Sequence, residues 1–269
     1  METVSTPAST PTRRPRPAKA GTGWKGWGTL TWYSFWKMLT NPFIVGFAIG
    51  LPTFMYFMFG TGQDYSKEWV IYSNVAATVL VNMAIYGAVM TVSSMGANYA
   101  LERTSGVSRL FAMTPLSPLA IIVSRLSAAV SLGAFVVAIV FAIGRATDAR
   151  MEAHAWAGSF IMILVLSVLP AVIGLAFAFA VRSDGAFAAT SGLTVVCSFG
   201  AGMFIPVEQM GEFMGHLAPW TPLYGLAKLS ALPMYGWEEF QWEWLANFVI
   251  WTLLFALLAV WGQRRDTGR

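Results

Sequence analysis

Charge is withheld from six long stretches of this chain. The sequence carries 17 Lys and Arg and 13 Asp and Glu. Only Arg125, near the start of the third stretch, falls within the apolar runs 42–60, 70–97, 120–144, 157–181, 185–205 and 244–261. With a helical rise of about 1.5 Å per residue, each run is long enough to cross a hydrocarbon core of about 30 Å. A soluble helix of this length needs charge on its outer face, and these carry a single charge between them, so their solvent is lipid. Lipid offers the backbone no hydrogen bonds, which favours helices. The expected fold is an all-α integral membrane protein with six transmembrane helices.

Composition agrees. Charged residues make up 11% of the chain and hydrophobic ones 56%, against a usual charged share of about 25%. The 269 residues contain no second hydrophilic block, so one polytopic domain is expected. The single cysteine, Cys197, excludes an intrachain disulfide framework and a cysteine-rich metal site.

Charge also sets an orientation. The N-terminal stretch, the loops after the second and fourth runs (with Arg125 counted in the former) and the C-terminal tail together carry +9. The alternate set of loops carries −5. Lysine and arginine excess marks the cytoplasmic side, so both termini are expected there. The basic balance is thereby explained without nucleic acid, which is not an expected partner.

Residues 1–23 are rich in Thr, Pro, Ser, Ala and Arg and read as a disordered cytoplasmic tail. The apolar run begins too far downstream for a cleaved signal peptide. The membrane domain is expected over 24–262, with the spans over 42–261 and a short cytoplasmic tail over 263–269. Trp24, Trp27, Trp32, Tyr33, Phe35 and Trp36, with Lys25 and Lys37 among them, form an amphipathic interfacial helix over about 24–40. It feeds the first span at Asn41-Pro42.

Span one carries Gly46 and Gly50, a spacing that lets helices approach closely, and Pro52, a kink site. In span two, Asn74, Thr78 and Asn82 share a sector of roughly 80°. Amides in hydrocarbon need partners, so that face looks inward. It supplies interhelical hydrogen bonds or lines a path. After span two, Val107, Leu110, Phe111 and Thr114 recur at helical spacing, and Pro115 and Pro118 stop the helix. With Glu102, Arg103 and Arg109 this is a short amphipathic cytoplasmic helix, serving as a surface anchor or a partner-docking element. The half-apolar segment between Ile205 and Trp244, with Pro206, Pro219 and Pro222, reads as short re-entrant helices in the outer leaflet. His154 and His216 stand alone and read as structural.

Several chemistries are missing. The sequence has no phosphate loop, no H-E-x-x-H and no CxxC pair. With two histidines, no catalytic triad emerges and no catalytic or metal residue is assigned. No ionisable residue sits at mid-membrane, where ion-coupled carriers usually hold one. Energy for transport is expected to come from another chain.

The sequence resembles the permease subunits of ABC-2 type exporters, especially the drug-efflux branch similar to daunorubicin-resistance permeases. Four features carry this: the aromatic helix ending at Asn41-Pro42; Glu102-Arg103-Thr104-Ser105-Gly106 with Leu110-Phe111-Ala112-Met113-Thr114-Pro115-Leu116-Ser117; Phe204-Ile205-Pro206-Val207-Glu208-Gln209-Met210; and Ala218-Pro219-Trp220-Thr221-Pro222-Leu223-Tyr224. Val107-Ser108 departs from the more polar or acidic pair common in the family. The resemblance implies two permease subunits, identical or related, above two ATPase subunits that bind ATP and Mg, with no cofactor in this chain. It makes Glu102, Arg103, Val107, Arg109, Leu110, Phe111 and Thr114 the ATPase-coupling residues. It puts Phe47, Phe54, Phe57, Asn74, Thr78 and Asn82 on the substrate path and Gly46 and Gly50 at the dimer contact. The implied cargo is an amphiphilic drug-like molecule, or else a lipid, polysaccharide or hydrophobic peptide. The competing classes are an integral-membrane lipid-modifying enzyme, built on Glu208, Glu212 and His216, and a self-contained channel or carrier.

Overall fold

A computed structural model describes residues 23–104, 116–181 and 185–267. Among them the chain forms ten α-helices: α1 (Trp27–Leu39), α2 (Pro42–Phe59), α3 (Val75–Thr104), α4 (Pro118–Ala146), α5 (Ala153–Leu166), α6 (Val168–Ala180), α7 (Gly185–Gly200), α8 (Glu212–Leu217), α9 (Tyr224–Tyr235) and α10 (Trp242–Thr267). A single antiparallel pair, β1 (Trp69–Val70) and β2 (Ser73–Asn74), interrupts them.

Four stretches are long and apolar enough to cross a membrane: Val75–Ala100, Leu119–Ala146, Ala153–Ala180 and Trp242–Gln263. The six runs of similar length expected from hydropathy therefore divide into four long helices and two shorter apolar ones, Val45–Phe59 and Gly185–Gly200. The second run also starts later than expected. Residues 69–74 pair as a hairpin, and helix begins only at Val75. The cause is local. Asn74 Oδ1 accepts from Ala77 N (3.0 Å), capping α3, while Asn74 N donates to the Arg150 carbonyl (2.9 Å). The chain before Asn74 is thus tied sideways rather than continued as helix. The fifth run stops as helix at Gly200, where Gly202 turns the chain at φ 78°.

Other boundaries follow from sequence chemistry. Ser117 Oγ accepts from Ala120 N (3.1 Å), and Pro118 occupies the first helical turn of α4, where its missing N–H costs nothing. The joint between α5 and α6 falls at Ser167, three residues before Pro170, which has no N–H to offer the preceding turn.

Helix α3 is the axis of the bundle. It packs against α2, α4, α6 and α7, and 72% of its most apolar 18-residue stretch is buried, against 17% for the corresponding stretch of α10. Its crossing with α6 is close because both sides are glycine. A Cβ on Gly174 would collide with the Ser93 carbonyl, and one on Gly96 would meet the Gly174 backbone at 2.8 Å. Helix α10 is peripheral, with Ile250, Leu253 and Leu257 turned outward, a surface suited to lipid.

Helix α9 is only 12 residues long yet buried over nearly its whole length. It packs against α5 and α10. Asn247 of α10 fixes it in place. The Asn247 amide donates to the carbonyls of Pro219 (2.7 Å) and Thr221 (3.1 Å) and accepts from Gly225 N (3.0 Å).

Candidate functional site

Three regions gather the residues singled out by sequence. The first is a charge cluster where α1, α3 and α4 meet. Glu102, in the last turns of α3, lies 3.4 Å from Lys37 Nζ of α1 through Oε1, and its Oε2 pairs with Arg125 of α4. The Arg125 guanidinium also sits 5.1 Å above the Tyr99 ring. Ser124 Oγ donates to the Trp27 carbonyl (3.1 Å), and Ser117 N donates to the Gly23 carbonyl (3.0 Å). Leu30, Leu116 and Ala120 close a small apolar contact beneath them. The interfacial helix is therefore fastened to the ends of α3 and α4, with its aromatic face (Trp32, Tyr33, Trp36) exposed.

Of the expected coupling residues, Glu102 is engaged in this cluster and Arg103 belongs to the last turn of α3. Val107, Arg109, Leu110, Phe111 and Thr114 lie outside the described residues. Sequence reading missed Lys37 and Arg125 as partners of Glu102. The signal that could have found them was Arg125 itself, the one charge inside an apolar run.

The second region is a polar cavity of about 540 Å³ at the opposite end of α3. Thr78 and Asn82 of α3, Glu208, Lys228 and Tyr235 line it, with Trp244 at its side. Lys228 Nζ lies 3.6 Å from Glu208 Oε1 and 5.7 Å from the centre of the Tyr224 ring. Burial, with a smaller push from Glu208, raises the Tyr235 hydroxyl above its ordinary pKa, although its hydrogen bond to Thr78 opposes the shift. Asn74, expected on the same path, is buried behind the cavity. Its amide is occupied by backbone, donating to the Asp148 carbonyl (2.8 Å) and accepting from Arg150 N (2.9 Å) as well as from Ala77 N.

The third region is an apolar groove of about 400 Å³ between α2, α3 and α7. Phe47, Leu51, Tyr86, Met90 and Phe187 line it, with Thr91, Ser94 and Ser191 as polar members. Phe54 and Phe57 are exposed further along α2. Gly46, Phe47, Gly50, Phe54 and Phe57 fall within a sector of about 100° on α2. A Cβ on Gly46 or Gly50 would meet nothing within 4 Å, so this face is uncovered in the single chain.

No group of three or more His, Cys, Asp or Glu that could hold a metal occurs among the described residues. His154 pairs with Glu152 (3.3 Å) and packs edge-on to Tyr72 (4.8 Å), whereas His216 is exposed on α8. Cys197 is buried in α7.

Two comparisons with known proteins bear on this architecture. A family model described as ABC-2 type transporter matches residues 25–227. A protein of Bacillus subtilis (strain 168) named as a transport permease, YvfS, is 19% identical over 236 residues, covering 86% of this chain and 94% of that protein. The match runs from the interfacial helix to the first turn of α9; it takes in the charge cluster, the apolar groove and the Thr78, Asn82 and Glu208 side of the polar cavity, and ends before Lys228 and Tyr235. The chain belongs to the ABC-2 type transporter family, as a multi-pass membrane permease.

Proposed function

We propose that this permease is one half of the pathway of an ATP-driven exporter in a bacterial cytoplasmic membrane, carrying an amphiphilic, drug-like molecule outward. Members of the family work with ABC ATPase partners. In this reading two such subunits dock below a pair of permeases, and ATP and Mg bind to them and not to this chain. The shorter α2 and α7 cross together with the four long helices, which gives six crossings with both termini cytoplasmic. Lysine and arginine bias supports that orientation. The polar cavity then lies toward the outside, and α8 and α9 form the re-entrant segment above it. The charge cluster lies toward the ATPase, and the segment 102–114 transmits its movement.

One observation carries the amphiphile reading. Thr78, Asn82, Tyr86 and Met90 recur every fourth residue along α3. The first two line the polar cavity and the last two the apolar groove. Positions four apart are neighbours on a helix, each about 6 Å further on. A molecule sliding along α3 therefore passes from apolar to polar walls, a surface that matches one with two unlike ends. Tyr86 stands edge-on to Phe204 at 4.8 Å, and Phe204 leads directly into Pro206 and Glu208 at the cavity.

The decisive experiment is affinity purification from gently solubilised native membranes, with mass spectrometry and an ATPase assay on the eluate. Reconstituted vesicles are then tested for ATP-dependent movement of a lipophilic cationic dye. A co-purifying nucleotide-binding subunit with vanadate-sensitive hydrolysis and dye transport supports the proposal. Dye movement without any ATPase would sink it in favour of a self-contained carrier. Hydrolysis stimulated by lipid or peptide but never by small amphiphiles would remove the cargo assignment.

A further inference from the structure

An open-sided groove of about 760 Å³ runs between the end of α4 and the start of α5. Its walls are apolar: Ala138, Phe141, Ala142, Ala153 and Trp156. The charged residue among its lining is Arg145, in the last turn of α4. Arg145 is exposed, and its guanidinium stands 6.0 Å above the Trp156 ring.

Each neighbouring charged side chain has a polar partner of its own. The Asp148 carboxylate accepts from Gly62 N (3.3 Å). The Arg150 guanidinium donates to the carbonyls of Thr147 (2.6 Å) and Ala149 (2.9 Å). Glu152 pairs with His154 (3.3 Å). Among the described residues no carboxylate pairs with Arg145. A cation in the last turn suits the helix dipole, which explains a basic residue there but not an apolar groove beneath it. Leu119–Ala146 is a membrane-length helix, so Arg145 stands at the level where hydrocarbon gives way to headgroups.

We infer that this groove is a binding site for an anionic phospholipid of the adjacent leaflet. Arg145 holds the phosphate with Trp156 beside it, and one acyl chain lies along Phe141, Ala142 and Ala138. The occupant is a lipid rather than a free anion because the groove supplies one cation and otherwise apolar wall. A small phosphate would leave that wall unused. The inference needs only the membrane setting and holds whatever the cargo is.

Native mass spectrometry of the full chain in detergent tests it, with titration by dioleoyl phosphatidylglycerol and by dioleoyl phosphatidylcholine. The wild-type chain should retain one phosphatidylglycerol in preference to phosphatidylcholine. Arg145→Gln should weaken that binding about fivefold, as expected for loss of one interfacial cation. Arg145→Lys should keep most of it, and Lys25→Gln, at the far end of the bundle, should keep all of it. Ala142→Trp, which fills the groove floor on an exposed position, should weaken binding with Arg145 intact. Equal retention by Arg145→Gln and the wild type, with both eluting as the same monodisperse species, would overturn the site. So would equal affinity for the two lipids, or release of phosphatidylglycerol by excess inorganic phosphate.

Discussion

Asn74 and Asn82 are two turns apart on one side of the chain, yet their environments separate them. Asn74 is 2% exposed and its amide meets three backbone groups. Asn74→Leu would leave those groups buried without partners, at about 1–3 kcal/mol each. The expected result is a marked fall in folded protein on fluorescence-detected size exclusion. Asn82 lines the polar cavity. Asn82→Leu should leave abundance near wild type and change the transport rate or substrate profile, and an unchanged profile would take Asn82 off the path. A second residue-scale test concerns Ile71, at φ 60° in the turn between β1 and β2, on the rim of the same cavity. A β-branched residue is strained there by about 1–2 kcal/mol. Its side chain is 57% exposed, so little packing is lost on truncation. Ile71→Gly should therefore raise the melting temperature in detergent, or leave it level once the added chain entropy of glycine is offset. A clear fall would show that the Ile71 side chain holds the rim.

Between elements, the contact that matters most is α1 against α3 and α4. Exposed ion pairs contribute little, and Lys37, 55% exposed, adds little to stability. Arg125 and Glu102 are 16% and 21% exposed, so their pairing resists solvent screening more. Arg125→Glu should break the α3–α4 pairing beneath α1 and uncouple ATP hydrolysis from transport while insertion persists. The swap Arg125→Glu with Glu102→Arg should recover part of the coupling, read as transport per ATP hydrolysed in proteoliposomes. A double variant no better than the single would show that the pair transmits nothing. Hydropathy made the apolar helices legible because lipid forbids charge along their length. It misjudged their ends because those are fixed by particular side chains, such as Asn74 tying residues 69–74 to the 148–150 turn and Gly202 stopping α7. It found Glu102 as a site residue. It could not find Lys37 and Arg125 as its partners, since that pairing joins three helices separated by 65 residues of chain between Lys37 and Glu102. The polar cavity was half legible: Thr78 and Asn82 stood out by facing inward together, whereas Glu208, Lys228 and Tyr235 converge only once α9 folds back into the bundle.

At the scale of the whole molecule, two of the exposed apolar faces differ in their chemistry. The face of α10 carries Ile250, Leu253, Leu254 and Leu257, flexible branched chains that mix well with acyl tails. The face of α2 pairs Gly46 and Gly50 with Phe47, Phe54 and Phe57, and it borders the apolar groove. Glycines let a second helix come close enough for dispersion contact to outweigh lipid contact. The α2 face is therefore expected to meet a second permease across a two-fold axis, where each position faces its own counterpart or a near neighbour. Cys197 is the single cysteine of the chain and is buried, so a Cys197→Ala background is free of thiols. In that background Gly50→Cys should give a covalent dimer under mild oxidation in native membranes, whereas Leu253→Cys should remain monomeric. Gly50→Leu should weaken the dimer while leaving the single chain folded, because no atom of its own chain stands within 4 Å of that Cβ. Gly174→Leu makes the contrast: its Cβ meets the Ser93 carbonyl inside the α3–α6 crossing, so the chain itself should lose about 1–3 kcal/mol or more. Cross-linking through Leu253 in place of Gly50 would move the pathway to the other side of the bundle, away from the groove and the polar stripe of α3.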